Sequence, residues 1–162
     1  MSATRVELSE EDRTSLGEVL VDGFEAFNGP FIGPHGYKPL RLMVFRRGED
    51  AACGGLLGHA YAAWLHVLMF HLPEDLRRCG LGRELLGRAE AWARGKACVG
   101  VYLDTLSWQA RPFYEKQGYT LFGELSDTPP GHSRWFLMKR LDGDTRDVPN
   151  CPDVRTCPDV PT

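Results

Sequence analysis

The chain has 162 residues, of which 43% are hydrophobic and 10% aromatic, and its net charge is −3. This length suits one domain, and the apolar content is enough for a core, which excludes a wholly disordered chain. The slightly acidic balance disfavours a nucleic-acid-binding protein, since such proteins usually present a strongly basic face.

The N-terminal part of the chain predicts a strand and then a helix. Residues 5–8 alternate between apolar and polar side chains, as a short strand does. Apolar residues then recur at helical spacing, which predicts a helix over residues 10–27. The Asn-Gly-Pro sequence at 28–30 is expected to end this helix. Residues 31–39, rich in Gly and Pro, are expected to form an irregular loop.

Three apolar segments follow, separated by turn-forming residues. They predict three consecutive antiparallel strands at 40–46, 51–62 and 64–72. Residues 81–95 place their apolar side chains on one face, which predicts a second helix. The segment 98–103 is almost wholly apolar, and this predicts a strand in the middle of the sheet.

The remaining elements complete a mixed α/β sheet. A short helix is predicted at 110–117, and two more strands are predicted at 119–125 and 133–141. From Asp142 onward the sequence is dominated by Asp, Pro, Thr and Gly and contains a near-repeat. Such a segment cannot offset its ordering entropy by burial. We therefore expect a folded domain at 1–141 and a disordered C-terminal tail at 142–162.

Several kinds of site are excluded by what the sequence lacks. No stretch reaches the roughly 18 consecutive apolar residues of a membrane span, and the first residues lack the apolar core of a signal peptide. The five cysteines form no C-x-x-C pair, so neither a zinc site nor a disulfide framework is predicted. We expect a cytoplasmic protein with reduced thiols, no metal, and no membrane or nucleic-acid partner.

A glycine turn before the second predicted helix is the first candidate binding site. It comprises residues 77–83, Arg-Arg-Cys-Gly-Leu-Gly-Arg. Backbone amides at a helix start carry partial positive charge, and glycines let a ligand approach closely, so the turn suits a phosphate group. The three arginines add positive charge at the same point. The alternative is an ordinary helix start with a solvated arginine cluster.

Two other phosphate-binding motifs fit this turn less well. Residues 80–85 follow the dinucleotide fingerprint without its third glycine, and Asp104 lies 22 residues after Gly82, where that motif places an acidic residue. The Rossmann turn follows its strand at once, however, whereas residues 73–76 intervene here. Antiparallel strands upstream are also wrong for a doubly wound sheet. The Walker motif G-x-x-x-x-G-K is absent.

Two motifs together identify the family that the chain resembles. Arg77-x-x-Gly80-x-Gly82 resembles the Q/R-x-x-G-x-G/A motif of the GNAT N-acetyltransferases. Residues 110–119, Ala-Arg-Pro-Phe-Tyr-Glu-Lys-Gln-Gly-Tyr, resemble their A-x-x-x-Y-E-K-x-G-F/Y signature. The order of elements over residues 1–141 also matches. The resemblance implies an α/β, single-domain GNAT fold, in which helices flank a mixed, mostly antiparallel sheet with a central splayed strand pair.

The same resemblance implies an enzyme that uses acetyl-CoA as co-substrate. Its acetyl group would pass to a primary amine by direct attack in a ternary complex. The compact domain favours a small-molecule acceptor, with a peptide or protein amine as an alternative. A non-catalytic acyl-CoA-binding module is the other alternative, and a homodimer is compatible with the family.

Cofactor-binding residues follow from the resemblance position by position. In this family the amides of the glycine turn bind the pyrophosphate, and the preceding strand splays from the next so that its free backbone groups take the pantetheine arm. Splaying is needed because a fully paired ladder has no free donors or acceptors. Many relatives carry an Asn where this chain has the shorter Ser107, so that contact is lost or water-mediated. The residues implied are Phe70, His71, Leu72, Arg77, Arg78, Cys79, Gly80, Leu81, Gly82, Arg83, Ser107 and Tyr114.

Two residues are candidates for proton transfer. Tyr114 is the family's usual general acid and would protonate the departing thiolate. The alternative is a tyrosine that packs its helix on the sheet. His66 stands where some relatives carry a basic Glu, and strand alternation is expected to place it on the same face as Phe70 and Leu72. A histidine satisfied within the sheet is the alternative there, and His132 is the second candidate base.

Acceptor specificity in this family comes from the end of the first helix, the loop after it and the last hairpin. Aromatic groups in these segments suit a cationic amine through cation–π attraction. Simple loop packing is the alternative, and for His132 the alternative is an exposed loop histidine. The candidate acceptor-binding residues are Phe27, Asn28, Phe31, Tyr37 and His132.

Overall fold

The computed structural model describes residues 14–143. They belong to two compact units that divide between Pro34 and His35. The predicted strand at 5–8 and residues 144–162 of the predicted tail lie outside the described residues.

The first unit contains one helix, α1, which spans Thr14–Ile32. The predicted break at 28–30 is wrong, because the helix continues through Pro30, and Phe31 is helical rather than part of a loop. A proline deprives a helix of its own N–H hydrogen bond. Only two helical residues follow Pro30, so the missing hydrogen bond lies in the last turn. Its loss therefore shortens the helix little. A short 3-10 turn, Gly33–His35, comes next along the chain.

The second unit is built on one six-stranded sheet with the order β1-β2-β3-β4-β6-β5. Every neighbouring pair is antiparallel except β3–β4, so the mixed, mostly antiparallel α/β sheet is confirmed. The strands are β1 Lys38–Phe45, β2 Ala52–Tyr61, β3 Trp64–His71, β4 Gly100–Leu106, β5 Thr120–Ser126 and β6 Ser133–Arg140.

The predicted β4 boundary moves toward the C-terminus. The strand runs from Gly100 to Leu106 rather than over 98–103. Asp104 interrupts the apolar pattern from which the end of the strand was predicted, yet its backbone stays in the β4–β6 ladder, opposite Phe136. Pairing with β6 therefore extends the strand past the charged residue.

Two helices accompany the sheet, α2 at Leu81–Gly95 and α3 at Arg111–Lys116, close to their predicted spans. The hydrophobic core lies on one face of the sheet, which we call the core face. Val101 and Leu103 of β4 are almost fully buried there with Leu86 and Ala89 of α2. A fully buried leucine contributes roughly 1.5–3 kcal/mol by leaving water. This packing fixes the start of α2 relative to the central strands.

The parallel pair β3–β4 is hydrogen-bonded over only part of its length. Its register runs from Trp64 opposite Gly100 to Val67 opposite Leu103. Beyond these residues both strands continue, but the structure shows no further pairing between them in the described chain. The central strand pair is therefore splayed, as the family resemblance implied.

A β-bulge in β3 changes which side chains share a face. In the β2–β3 ladder Met69 is opposite Leu57 and Val67 is opposite Gly58, so Leu68 is the extra residue. A bulge of this kind reverses the alternation of the residues that follow. The expectation that His66 shares a face with Phe70 and Leu72 is therefore wrong. Phe70 packs against the core and Leu72 is buried, whereas His66 lies on the opposite face.

We call the face opposite the core the second face. It carries His59, His66 and Tyr102, which are neighbours across β2, β3 and β4. The two candidate proton-transfer residues are thus divided between the faces, because Tyr114 of α3 belongs to the core.

Candidate active site

The glycine turn presents an open, positively polarised helix start. Gly80 precedes α2 in the left-handed region, with a φ of 91°, which favours glycine. The Glu84 amide is bonded to the Gly80 carbonyl at 3.1 Å. The amides of 80–83 have no acceptor within the helix. A Cβ at Gly80 would meet nothing within 4 Å, so the space beside the Gly80 backbone is open. The arrangement can hold a phosphate group.

The arginines of the turn have different roles. Arg77 Nε donates a hydrogen bond of 2.8 Å to the carbonyl of Leu72, which ties the turn to the end of β3. Arg78 and Arg83 are exposed and contribute charge. Arg78 has a φ of 62°, so the backbone turns sharply here. The Leu72 carbonyl therefore serves the turn itself, and the unpaired edge of β3 lies before it.

The edge of β3 that faces β4 offers free backbone groups after Val67. Phe70 and His71 pair on their other edge with Leu56 and Gly55 of β2. No strand of the described residues pairs with their β4-facing edge. An extended ligand can hydrogen-bond to such an edge as an added strand would.

Tyr114 lies in α3 behind this edge and is buried, with 7% of its surface exposed. Its ring contacts those of Phe113 and Tyr119, at centroid distances of 5.1 and 6.0 Å. Burial, with a further contribution from the negative charge of Asp104, raises the pKa of Tyr114 to about 12. The phenol therefore keeps its proton at neutral pH and can donate a hydrogen bond or act as an acid there.

His66 belongs to a row of aromatic rings on the second face. Its ring stacks on Tyr102 at 4.3 Å with an interplanar angle of 9°. Its other neighbour is His59, at 5.6 Å, and His59 in turn lies 5.0 Å from the ring of Tyr37. The structure thus brings Tyr37, a candidate acceptor residue, close to the candidate base. Burial first, and then the proximity of His59, lower the pKa of His66 below its usual 6.5.

A cavity of about 420 Å³ opens beside this row within the second unit. Its lining is largely aromatic, which suits flat or cationic groups. Inside the described part of the chain, Nδ1 of His59 is buried without a hydrogen-bond partner, so a polar group of a ligand could satisfy it. The lining residues are His59, Tyr61, Ala62, Trp64, His66, Tyr102, Phe122 and Met138.

Ser107 and His132 meet just beyond the end of β4. The Ser107 hydroxyl and Nδ1 of His132 share a hydrogen bond of 3.0 Å. The Ser107 amide donates to the carbonyl of Ser133 at 2.8 Å, which continues the β4–β6 pairing by one residue. Trp108 packs edge-on against the His132 ring, at a centroid distance of 4.7 Å. His132 is thus a held side chain rather than a free loop histidine.

The remaining candidate acceptor residues belong to the first unit. Phe27, Asn28 and Phe31 lie in the last two turns of α1. Phe27 is helical as predicted, whereas Asn28, where the helix was expected to break, and Phe31, expected in a loop, are helical as well.

Two features of the second face were missed by reasoning from the sequence. His59 had no supporting pattern, and Asp104 was weighed only as part of a dinucleotide motif. Asp104 instead forms an ion pair with Arg134 of β6, with Nε 2.6 Å from Oδ2. The partners are 30 residues apart, so only the β4–β6 register could have revealed the pair. The single parallel strand pair also excludes the doubly wound sheet that a dinucleotide site requires.

Residues 14–143 contain neither a cluster of metal-ligating side chains nor a helix able to span a membrane. That part of the chain has no group of three or more His, Cys, Asp or Glu side chains placed to hold a metal ion. None of its helices has both the length and the apolar content to cross a membrane.

Comparison with known proteins agrees with the geometry. Residues 8–119 match the profile of the acetyltransferase (GNAT) family. The acetyltransferase Atu2258 of Agrobacterium fabrum is 32% identical over 134 residues, which are 83% of the chain and 97% of that protein. Blasticidin-S acetyltransferase of Streptomyces morookaense is 43% identical over 96 residues, 59% of the chain and 69% of that protein.

A solved structure shows the same architecture. The crystal structure of an acetyltransferase from Bacillus cereus has a TM-score of 0.70 and 31% identity, over 83% of the chain and 98% of that structure. The family profile covers more than half of the chain, and a relative above 30% identity spans most of it. The chain therefore belongs to the GNAT family of acetyltransferases.

Proposed function

We propose that the protein is an acetyl-CoA-dependent N-acetyltransferase that acetylates a primary amine of a small molecule. The observation that carries this proposal is the end of β3–β4 pairing after Val67 and Leu103. Where this pairing ends, the edge of β3 is unpaired, and it lies between the start of α2, which can hold an anion, and the buried, protonated Tyr114. A thioester cofactor with a phosphate-bearing end needs these three features in this order along its length.

The cofactor would lie along the splayed edge. Its pyrophosphate would accept hydrogen bonds from the amides of 78–83, with Arg77 holding the turn in place through its bond to Leu72. Its amide-containing arm would pair with the backbone of Phe70 and His71, and Leu72 would pack against it. Its acetyl end would then reach the splay near Tyr114. Ser107 stands at the end of β4, but its hydroxyl is already engaged by His132.

Starting from the ammonium form of the acceptor, two protons leave the nitrogen, one before the attack and one as the amide forms, and one proton reaches the thiolate. The amine nitrogen attacks the thioester carbonyl carbon, the C–S bond breaks, and the sulfur leaves as a thiolate. Tyr114 donates its hydrogen bond to that sulfur. Full transfer from a phenol of pKa about 12 to a thiolate whose thiol has a pKa near 8.5 is uphill, so the phenol must recover a proton. The nitrogen loses a second proton as the amide forms, and this proton replaces the one given to the sulfur, while the first passes through the base to solvent.

His66 is the group that we assign to the amine proton. An alkyl ammonium has a pKa near 10, so at neutral pH most of the acceptor carries an extra proton. A half-buried imidazole with a lowered pKa is neutral at pH 7 and can take that proton. His66 lies on the second face next to the 420 Å³ cavity, so the body of the acceptor would occupy this cavity. His132 is the alternative base.

The relatives support a small acceptor. One of them is named blasticidin-S acetyltransferase, which points to a small-molecule amine. The aromatic lining and the ring of Tyr37 would pack on such a molecule, and His132 would contact it, while Phe27, Asn28 and Phe31 stay candidate acceptor residues of the first unit. We place this activity in the cytoplasm as part of the proposal.

One experiment tests the proposal directly. The purified protein is mixed with acetyl-CoA and each member of a panel comprising blasticidin S, spermidine, glucosamine and a short peptide with a free amine, and thiol release is followed with time. Turnover with a small amine, and an acetylated product by mass spectrometry, is the expected result. Tight acetyl-CoA binding without turnover on any amine would instead favour a non-catalytic acyl-CoA-binding module.

A further inference from the structure

Asp104 occupies the point at which the central strands separate. It is the first residue of β4 after the last β3–β4 pair, which joins Val67 and Leu103. Alternation along β4 places its side chain on the second face, with Tyr102, on which His66 stacks. Its carboxylate therefore stands at the mouth of the splay, on the side from which an acceptor would approach His66.

Arg134 holds this carboxylate in position and leaves part of it available. Its Nε donates to Oδ2 of Asp104 at 2.6 Å, and its guanidinium lies 5.8 Å from the ring of Phe136. Within the described residues no hydrogen bond reaches Oδ1. The side chain of Asp104 is 21% exposed, so a ligand can reach it.

Several charged or titratable groups surround Asp104. Arg134 approaches from β6, His66 and His59 lie on β3 and β2, and Tyr114 approaches from α3 on the core face. The charge of Asp104 raises the pKa of Tyr114 and opposes the lowering of the pKa of His66. One carboxylate is thus within electrostatic range of both groups assigned to proton transfer.

We infer that Asp104 binds the ammonium group of the acceptor through Oδ1, with Arg134 as the residue that positions the carboxylate. This inference rests on the proposed function, since it names the residue that recognises the acceptor's charge. A carboxylate at the splay selects primary amines that are protonated in solution and holds the nitrogen beside His66 until the proton is transferred. The carboxylate also stabilises the imidazolium that forms.

The test compares equilibrium binding and turnover in matched variants. Spermidine, glucosamine and blasticidin S are titrated calorimetrically into the protein saturated with CoA, for the wild type, Asp104→Asn and Arg134→Gln. Asp75→Asn serves as the control, because Asp75 also pairs with an arginine, Arg46, at 2.7 Å, but lies outside the site. Acetyl-CoA affinity and thermal melting are measured for every variant.

A charge-assisted hydrogen bond is worth enough that Asp104→Asn should weaken amine binding roughly 10- to 100-fold and raise the KM for the amine equally. The affinity for acetyl-CoA should stay within about twofold. Arg134→Gln breaks the same ion pair but keeps the carboxylate, so amine binding should fall by less than about threefold. Asp75→Asn should match the wild type.

Three results would overturn the inference. They are equal amine affinity in Asp104→Asn and wild type, an equal loss in Asp104→Asn and Arg134→Gln, and no binding of any amine probe to the wild type. The proposed function fails separately, when the wild type binds an amine but releases no thiol from acetyl-CoA.

Discussion

The hydroxyl of Ser107 and Nδ1 of His132 are joined by a 3.0 Å hydrogen bond across the end of the β4–β6 ladder. This bond fixes the orientation of the imidazole and leaves Nε2 as its free nitrogen. Ser107 thus stands where the family motif places a cofactor contact, but its hydroxyl is directed to a histidine of the β5–β6 loop. In the proposed site, the residue would link the cofactor side to the acceptor side.

Ser107→Ala separates these two roles. If Ser107 acts by positioning His132, the KM for the amine should rise by about three- to tenfold, since a neutral hydrogen bond is worth roughly 0.5–1.5 kcal/mol. The Kd for acetyl-CoA, measured by calorimetry, should not change. Weaker binding of acetyl-CoA with an unchanged KM for the amine would show instead that Ser107 contacts the cofactor. Ser126→Ala, at the end of β5, is the control for loss of a strand-end hydroxyl.

Gly82→Asp should abolish tight acetyl-CoA binding. A Cβ at Gly82 meets the Phe113 ring at 3.5 Å and Leu72 Cδ1 at 3.7 Å, which are ordinary contacts, so the fold should accept the side chain. The new carboxylate would stand at the helix start that is proposed to hold the pyrophosphate, and like charges repel there. We expect affinity to fall at least about 100-fold by calorimetry.

Gly87→Asp is the matched control for this change. Gly87 lies in the same helix, and a Cβ there meets nothing within 4 Å. It adds the same charge away from the turn, so acetyl-CoA affinity should stay within about threefold. Equal acetyl-CoA affinity in Gly82→Asp and Gly87→Asp would show that the glycine turn does not bind the cofactor.

Glu90 should be the most important carboxylate for stability among the described residues. It is 6% exposed and accepts hydrogen bonds from Lys139 Nζ at 2.8 and 2.9 Å and from the Tyr119 hydroxyl at 3.2 Å. Glu90→Gln leaves the lysine without its charged partner in a partly buried position. Removing one member of such a pair costs about 3 kcal/mol, which urea unfolding would detect.

Glu84→Gln provides the comparison on the same helix. Glu84 pairs with Arg88 one turn along α2 at 2.6 Å, but both side chains are more than half exposed. Exposed pairs contribute only about 0.3–0.5 kcal/mol, so this variant should unfold almost as the wild type does. Comparable losses in the two variants would show that the Glu90 cluster has no special role.

The local elements and the mixed, mostly antiparallel sheet could be predicted from the sequence, but the register of residues within the sheet could not. The strands and helices of the second unit follow from apolar blocks, periodicity and glycine turns, which act over a few neighbouring residues. The bulge at Leu68 lies in an unbroken apolar run, so nothing in the sequence shows the reversal that places Phe70 and Leu72 on the face opposite His66. The Asp104–Arg134 pair depends on a register set between strands 30 residues apart. Those two features decide what surrounds the reacting groups.

Tyr114→Phe tests the general acid. The ring and its contacts remain, so acetyl-CoA affinity and melting temperature should change little, while turnover should fall by roughly 10²–10⁴-fold, the usual contribution of a positioned acid. Since the pKa of Tyr114 is about 12, its ionisation should add no loss of activity between pH 7 and 10. A Tyr114→Phe enzyme as fast as wild type would exclude the tyrosine as acid.

Tyr119→Phe is the control for loss of a buried phenol. Tyr119 lies five residues later, is 2% exposed, and donates to Glu90 rather than facing the splay. This variant should lose stability but keep its turnover at temperatures well below melting. A loss of turnover without a loss of stability in Tyr114→Phe, and a loss of stability without a loss of turnover in Tyr119→Phe, would assign the chemistry to Tyr114 and the structural role to Tyr119.

The base is tested by the acid limb of the pH–rate profile. The pKa of His66 is lowered from 6.5, so kcat at saturating amine should fall as the pH drops below 6.5 and the imidazole takes up a proton. In His66→Gln this limb should vanish and turnover at pH 7 should fall by about 10²-fold, whereas His132→Gln should keep the limb. A limb that disappears in His132→Gln instead would make His132 the base.

The unfolded state binds the His66 proton more readily than the native state, so stability also declines below pH 6.5. Circular dichroism at each pH therefore separates unfolding from loss of the base.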